Sequence, residues 1–218
     1  MVEIFQKEAP VLREIAEPVN PKDFGSPRLQ KILVDMAIAL EKEEDGVAIA
    51  APQIGVPLRI FIVSHRAFDI EDEQGGGLPL EKGTLRKERE IKKSKHKNLV
   101  FINPEIIKLS RKKIWVPEGC LSVRWLYGEV SRADKATIRA YDEKGKVFTR
   151  GGSGLMAQIF QHETDHLNGT LFIDTARNLE KITLEEQKLL KEERASISES
   201  TKATTGLSRN IRHERSKK

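Results

Sequence analysis

Residues 162–166, His-Glu-Thr-Asp-His, spell an H-E-x-x-H pattern. On a helix, residues four apart share a face, so the imidazoles of His162 and His166 can reach one divalent ion. Glu163 then leans over that ion without binding it, where it can take a proton from a water molecule. A catalytic metal centre needs a third protein ligand and one open position. The other histidines are His65, His96 and His213. The last two lie in basic runs and His65 follows an apolar stretch. Cys120, in "VPEGCLS" (116–122), is the stronger candidate. It is the only cysteine, so no internal disulfide can use it. As a thiolate it binds zinc or iron(II) well, and Gly119 beside it permits a tight backbone path. A buried apolar cysteine is the plainer alternative, and the residues alone leave it open.

These side chains must be positioned by surrounding elements. "SGLMAQIFQHETDHLNG" reads as the helix that carries the motif, with Leu155, Ile159, Phe160 and Leu167 on its apolar face and Asn168-Gly169 ending it. A second helix starts at Ser26-Pro27, with Leu29, Ile32, Leu33, Met36 and Leu40 on one face. "RIFIV" (59–63) and "LVFINPEIIKL" (99–109) read as buried strands, the second interrupted at Asn103-Pro104. "KATIRAYDEKGKVFTR" reads as a hairpin turning at Asp142 to Gly145. The polar stretch at about 70–98 is too long for an ordinary connection and reads as an insertion. "TLEEQKLLKEERA" reads as a further, charged helix. Strands and helices mixed without a βαβ rhythm imply an α+β fold, with antiparallel sheets packed around the helix that bears the metal motif. The expected organisation is one catalytic domain over 1–180, a charged helix and start of tail over 181–201, and a basic tail without structure over 202–218.

The chain has 218 residues, is 38% hydrophobic and 33% charged, and carries a net charge of +5. No stretch has the length of a membrane span, and the first residues lack the pattern of a secretory signal or transit peptide. With a single thiol, this points to the cytoplasm, and to a bacterial rather than an organellar protein. The charge is uneven. Residues 86–97 hold seven Lys or Arg against two Glu, and residues 202–218 hold six against one. Such runs suit either plain solvation or contact with a polyanion such as RNA.

Three stretches together resemble the signature motifs of peptide deformylases, in the same order: "GVAIAAPQIG" (46–55), "EGCLS" (118–122) and "QHETDHLNG" (161–169). "APVLREIAEPV" and "LVFINPEI" are similar to that family too, and the resemblance covers roughly residues 4 to 175. It implies hydrolytic removal of the N-formyl group from the N-terminal formylmethionine of new polypeptides, with release of formate. Cys120, His162 and His166 match the metal ligands and Glu163 the general acid and base. The implied cofactor is one divalent ion, iron(II), with zinc, nickel or cobalt able to replace it. Gln53 matches the side-chain donor to the formyl oxygen and the Leu121 N–H the backbone donor, together an oxyanion hole. Gly46, Val47, Ala48 and Gly119 match the substrate-binding backbone. The implied partner is the formylmethionyl nascent peptide, and the basic tail suggests the ribosome or its RNA. The expected solution state is a monomer.

The chain departs from the pattern in places. Ala48 stands where the family usually has glycine, and an extra methyl is expected to crowd a strand-like substrate. "VRWLYGEVSR" follows the cysteine motif where many members have an early proline, so Arg124, Trp125 and Tyr127 are expected to reshape the mouth of the site. Glu118 and Asp165 either orient ligands or pair with Arg132, the ion pair being preferred for Asp165; Gln161 is open between packing and ligand support. H-E-x-x-H alone also suits a zincin-like protease or an amidase acting on another acyl group, and the basic runs suit a non-catalytic RNA- or ribosome-binding member of the scaffold.

Overall fold

The computed structural model describes residues 2–74 and 97–182, together with Glu186. Helix α1 spans Pro27–Glu41; the Ser26 hydroxyl accepts the Leu29 N–H at 3.2 Å and Pro27 opens the first turn. Its Leu29, Leu33, Met36, Ala39 and Leu40 are buried against strands β1 (Ala48–Ala50) and β2 (Ile60–Val63). Helix α2 (His65–Gln74) follows β2 directly. Then come β3 (Leu99–Leu109), β4 (Lys113–Cys120), β5 (Val123–Ala133), β6 (Lys135–Tyr141) and β7 (Val147–Ser153). Helix α3 (Gly154–Leu167) and strand β8 (Arg177–Lys181) complete the described elements.

The strands form two antiparallel sheets. One has the order β1-β2-β3-β6-β7, the other β4-β5-β8. Helix α3 touches β1, β2, β3, β6 and β7 of the first sheet and β5 of the second. Ten of its fourteen residues are buried, so it is a core helix rather than one with a single apolar face. Phe160 on α3 meets Phe101 edge-on at 5.4 Å between centroids, and Phe101 stacks on Phe61 at 4.4 Å. Such aromatic contacts each contribute on the order of 1 kcal/mol beyond the area they bury.

The expected α1, β2, the hairpin of β6 and β7, and the motif helix all form. The interruption at Asn103-Pro104 is a register shift within a continuous β3. Asn103 takes φ +49° there, and its side chain accepts the Val19 N–H (2.8 Å) and donates to the Val19 carbonyl (2.9 Å), pinning the N-terminal segment. Strands β4, β5 and β8 were not anticipated: the burial of β4 and β5 comes from pairing and from packing under the first residues and the segment after α3, while β8 is an exposed edge strand. The region read as an insertion begins as α2, while residues 75–96 lie outside the described residues. The charged helix after residue 182, except Glu186, and the basic tail also lie outside them. Among the described residues no helix is long and apolar enough to cross a membrane.

Candidate active site

Cys120 is the last residue of β4, where the chain turns back into β5. Its approach depends on Gly119: a Cβ there would lie 2.7 Å from the Tyr127 ring, which covers the glycine from the neighbouring strand. Opposite stands the last turn of α3. The helix ends at Asn168, and Gly169 takes φ +72° against the Arg13 carbonyl, a position no side chain could share. This brings the Cys120 sulfur and one nitrogen each of His162 and His166 within 4.8 Å of one another. The sulfur lies 3.1 Å from His166 Nε2.

His162 Nδ1 sits 2.9 Å from a Glu118 oxygen. Burial pushes the Glu118 carboxyl up, but hydrogen bonds from Arg132 and His162 outweigh it and hold it at about 2. An ionised carboxylate only accepts, so Nδ1 carries a hydrogen and Nε2 is the nitrogen turned toward the Cys120 sulfur. Arg132 on β5 donates to both Glu118 oxygens (2.7 and 2.9 Å) and to Asp165 (2.6 Å). Both readings of Glu118 are therefore correct: it pairs with Arg132 and supports His162. Asp165 is the ion pair expected. Gln161 is a packing tie, since its amide holds both the N–H and the carbonyl of Ala133 (2.9 and 3.0 Å).

Burial raises the Cys120 thiol, yet the charge and hydrogen bonds of His166 and His162 more than reverse this and bring it to about 5. Burial likewise pulls His162 down, and hydrogen bonds to Cys120 and Glu118 reverse that and raise it well above its usual value. Glu163 is 4% exposed; burial pushes its carboxyl up to about 7 although both histidines pull the other way. Among the described residues, Glu163 Oε2 and His166 Nδ1 are buried with no hydrogen-bond partner. A soft sulfur, two imidazole nitrogens and an unpartnered carboxylate oxygen beside them form a donor set that fits a divalent ion with a water molecule.

Gln53 lies across this cluster. Its Oε1 accepts the Ala50 N–H at 2.8 Å, and its Nε2 reaches Ser122 Oγ at 3.1 Å and the Cys120 sulfur at 3.6 Å. Leu121 occupies the turn after the cysteine, its carbonyl accepting from Gln6 at 3.2 Å. Gly46 and Val47 lead into β1, the edge strand of the larger sheet. The Ser64 N–H donates to the Val47 carbonyl at 2.8 Å, so antiparallel alternation turns the N–H and C=O of Ala48 toward the free edge. The Ala48 methyl is buried in the core cluster that includes Leu155 and Ile159. It stands out of the sheet plane in which a strand would dock, so the expected crowding by this methyl does not arise at the strand edge.

Arg66 and Gln158 had not been singled out from the sequence, and Arg124 had been, as a residue of the mouth of the site. Arg66 on α2 donates to the carbonyls of Glu43 (2.7 Å) and Glu41 (3.1 Å) at the end of α1. Arg124 grips the Asp45 carboxylate at 3.0 Å and also pairs with Glu43. Between them they hold the loop that feeds β1. Gln158, one turn before His162, donates to the Pro117 carbonyl at 2.8 Å and joins α3 to β4. Trp125 adopts φ +67° within β5, and Tyr127 covers Gly119.

The family model for polypeptide deformylase matches residues 1–182. The chain belongs to the polypeptide deformylase family, hydrolases that remove the N-formyl group from newly made polypeptides. Peptide deformylase 1A, chloroplastic/mitochondrial, of Arabidopsis thaliana is 40% identical over 173 residues, 79% of this chain and 60% of that protein. Peptide deformylase of Erythrobacter litoralis is 35% identical over 181 residues, 82% of this chain and 91% of that protein. The fold matches the crystal structure of a class I type b peptide deformylase from Acinetobacter baumannii with Met-Ala-Ser bound. That match has a TM-score of 0.64 and 28% identity, and covers 80% of this chain and 98% of that one. The peptide deformylase from Thermotoga maritima gives a TM-score of 0.62 at 29% identity, covering 81% and 98%. The family is metal-dependent, in keeping with the Cys/His/His cluster. Membership displaces the zincin-like reading of the sequence.

The buried Arg132 fork yields a testable consequence. Arg132→Met leaves the Glu118 carboxylate, 3% exposed, without its guanidinium partner and held by His162. It should cost about 3–5 kcal/mol in denaturant unfolding. A loss under about 1 kcal/mol would show that the fork contributes little.

Proposed function

We propose that Cys120, His162 and His166 hold one divalent ion and that Glu163 is the general acid and base for hydrolysis of N-formylmethionyl peptides. The observation that carries this reading is the convergence of three soft and borderline donors, with the buried Glu163 carboxyl and its unpartnered Oε2 in electrostatic reach of all three. When bound, the ion supplies Lewis-acid polarisation and acidifies a water molecule. Glu163, kept close to neutral pH in its own proton affinity by burial, accepts that water's proton and returns it to the departing amine nitrogen. Gln53 Nε2 and the Leu121 N–H donate to the formyl oxygen as charge develops on it. The free edge of β1, through the N–H and C=O of Ala48, takes the peptide backbone as an added strand, with Gly46, Val47 and Gly119 giving close approach. Met-Ala-Ser, bound in the Acinetobacter baumannii relative, has the composition a deformylated peptide would have, which supports a peptide substrate with an N-terminal methionine.

The native ion in this reading is iron(II), which a thiolate and two imidazoles bind well; zinc, nickel and cobalt suit the same donors. A lone thiol used as a ligand fits a reducing compartment such as the cytoplasm. The nascent chain appears at the ribosome, and the six Lys or Arg against one Glu in residues 202–218 support contact with ribosomal RNA.

Glu163→Gln should lower formate release from a short formyl-Met peptide by about a hundred-fold or more while metal content is kept. Retained turnover in a fully metallated variant would remove Glu163 from its role. The iron(II) form should lose activity in air faster than the nickel form, through oxidation of the metal and the Cys120 sulfur. Equal half-lives would count against an oxidisable native centre. Removing residues 202–218 should reduce co-sedimentation with ribosomes at low salt, and unchanged co-sedimentation would end the RNA proposal.

A further inference from the structure

Ser122 is a polar residue with no exposed surface, two positions beyond the cysteine. Its hydroxyl and its backbone both face the site. Ser122 Oγ accepts from Gln53 Nε2 at 3.1 Å, and the Ser122 N–H donates to the Cys120 sulfur at 3.4 Å. Gln53 is itself only 1% exposed, and its amide is held at the other end by the Ala50 N–H on Oε1. That contact decides which end of the amide is oxygen, because a flipped amide would set its NH₂ against another donor. It does not decide how the amide plane is tilted about that contact. The amide nitrogen has two hydrogens: Ser122 Oγ takes one, and planarity then directs the second toward the Cys120 sulfur, 3.6 Å from Nε2, and the space beside it.

We infer that Ser122 is a positioning residue which, by accepting one Gln53 hydrogen, aims the other at the oxygen that becomes negative during deformylation. The inference rests on the donor role proposed for Gln53. A hydroxyl present only to satisfy a buried amide would affect folding and leave the rate per folded, metallated molecule unchanged. A hydroxyl that aims a donor acts on kcat, since the donor is worth most when charge has developed. It also acts only through Gln53, so its effect vanishes once that side chain is gone.

The test uses full-length, nickel-loaded protein and four forms: the unaltered chain, Ser122→Ala, Gln53→Ala and the double variant. Ser122→Ala should lower kcat for a formyl-Met peptide by about ten-fold with KM changed by less than about two-fold. The double variant should match Gln53→Ala alone. In metal-free protein, the Gln53 side-chain amide proton resonances should shift in Ser122→Ala, a readout independent of turnover. Undiminished kcat in Ser122→Ala, losses that multiply in the double variant, or unmoved amide resonances would each overturn the inference. Full kcat in Gln53→Ala would instead overturn the role of Gln53, and that of Ser122 with it, which separates failure of the premise from failure of the inference.

Discussion

The site is organised around the Glu118 carboxylate. This one buried anion accepts two hydrogen bonds from Arg132 on β5 and one from His162 on α3, while its own strand β4 ends two residues later at Cys120. A buried ion pair gives little net stability, because desolvation consumes most of the Coulombic gain. What it does give here is geometry. Donation from Nδ1 to Glu118 selects the tautomer of His162 and fixes the ring plane, and the second contact of Arg132, to Asp165, ties the same helix turn to β5. Cysteine, histidines and their supports are thereby placed by one network that spans both β4–β5 and α3.

The opposite side of the site is positioned by different means. Strand β1 has three residues and a partner on only one side, so pairing alone holds it weakly. The loop before it is held by Arg66, which occupies carbonyl groups at the end of α1, and by Arg124, which binds the Asp45 and Glu43 carboxylates. Beyond it, the Ala50 N–H, which alternation turns to the free edge, is taken by Gln53. The edge strand and Gln53 are thus coupled through one hydrogen bond, and Gln53 in turn meets Ser122 and the Cys120 sulfur.

Much of this was legible in the sequence. H-E-x-x-H spacing fixes two imidazoles on one helix face, and the lone Cys120 beside Gly119 stood out as the third donor. Helix α1 was legible because Ser26-Pro27 and the apolar spacing agree on one start and one face. The supports were harder to read for physical reasons. Strands β4 and β5 were hard to read because they bury the charged Glu118 and Arg132 along with apolar residues. Helix α3 showed one apolar face in sequence yet is enclosed by two sheets, and its buried Gln158 and Gln161 bond to backbone groups of distant strands. Ala48 looked like an obstruction because the direction of its methyl depends on strand register, which only the pairing with β2 reveals. Arg66 acts across a long sequence separation and carries no local signal; Arg124 stood out only as a departure from the family pattern, not for its pairing with Asp45 and Glu43.

The central claim is that one sulfur and two imidazole nitrogens of this chain share a single ion. X-ray absorption on the zinc-loaded, full-length protein measures that shell directly. Coordination by Cys120, His162 and His166 gives one sulfur at about 2.3 Å and two imidazole nitrogens at about 2.0–2.1 Å, completed by a light atom. A shell of nitrogen and oxygen only, or one with more than one sulfur, would contradict it.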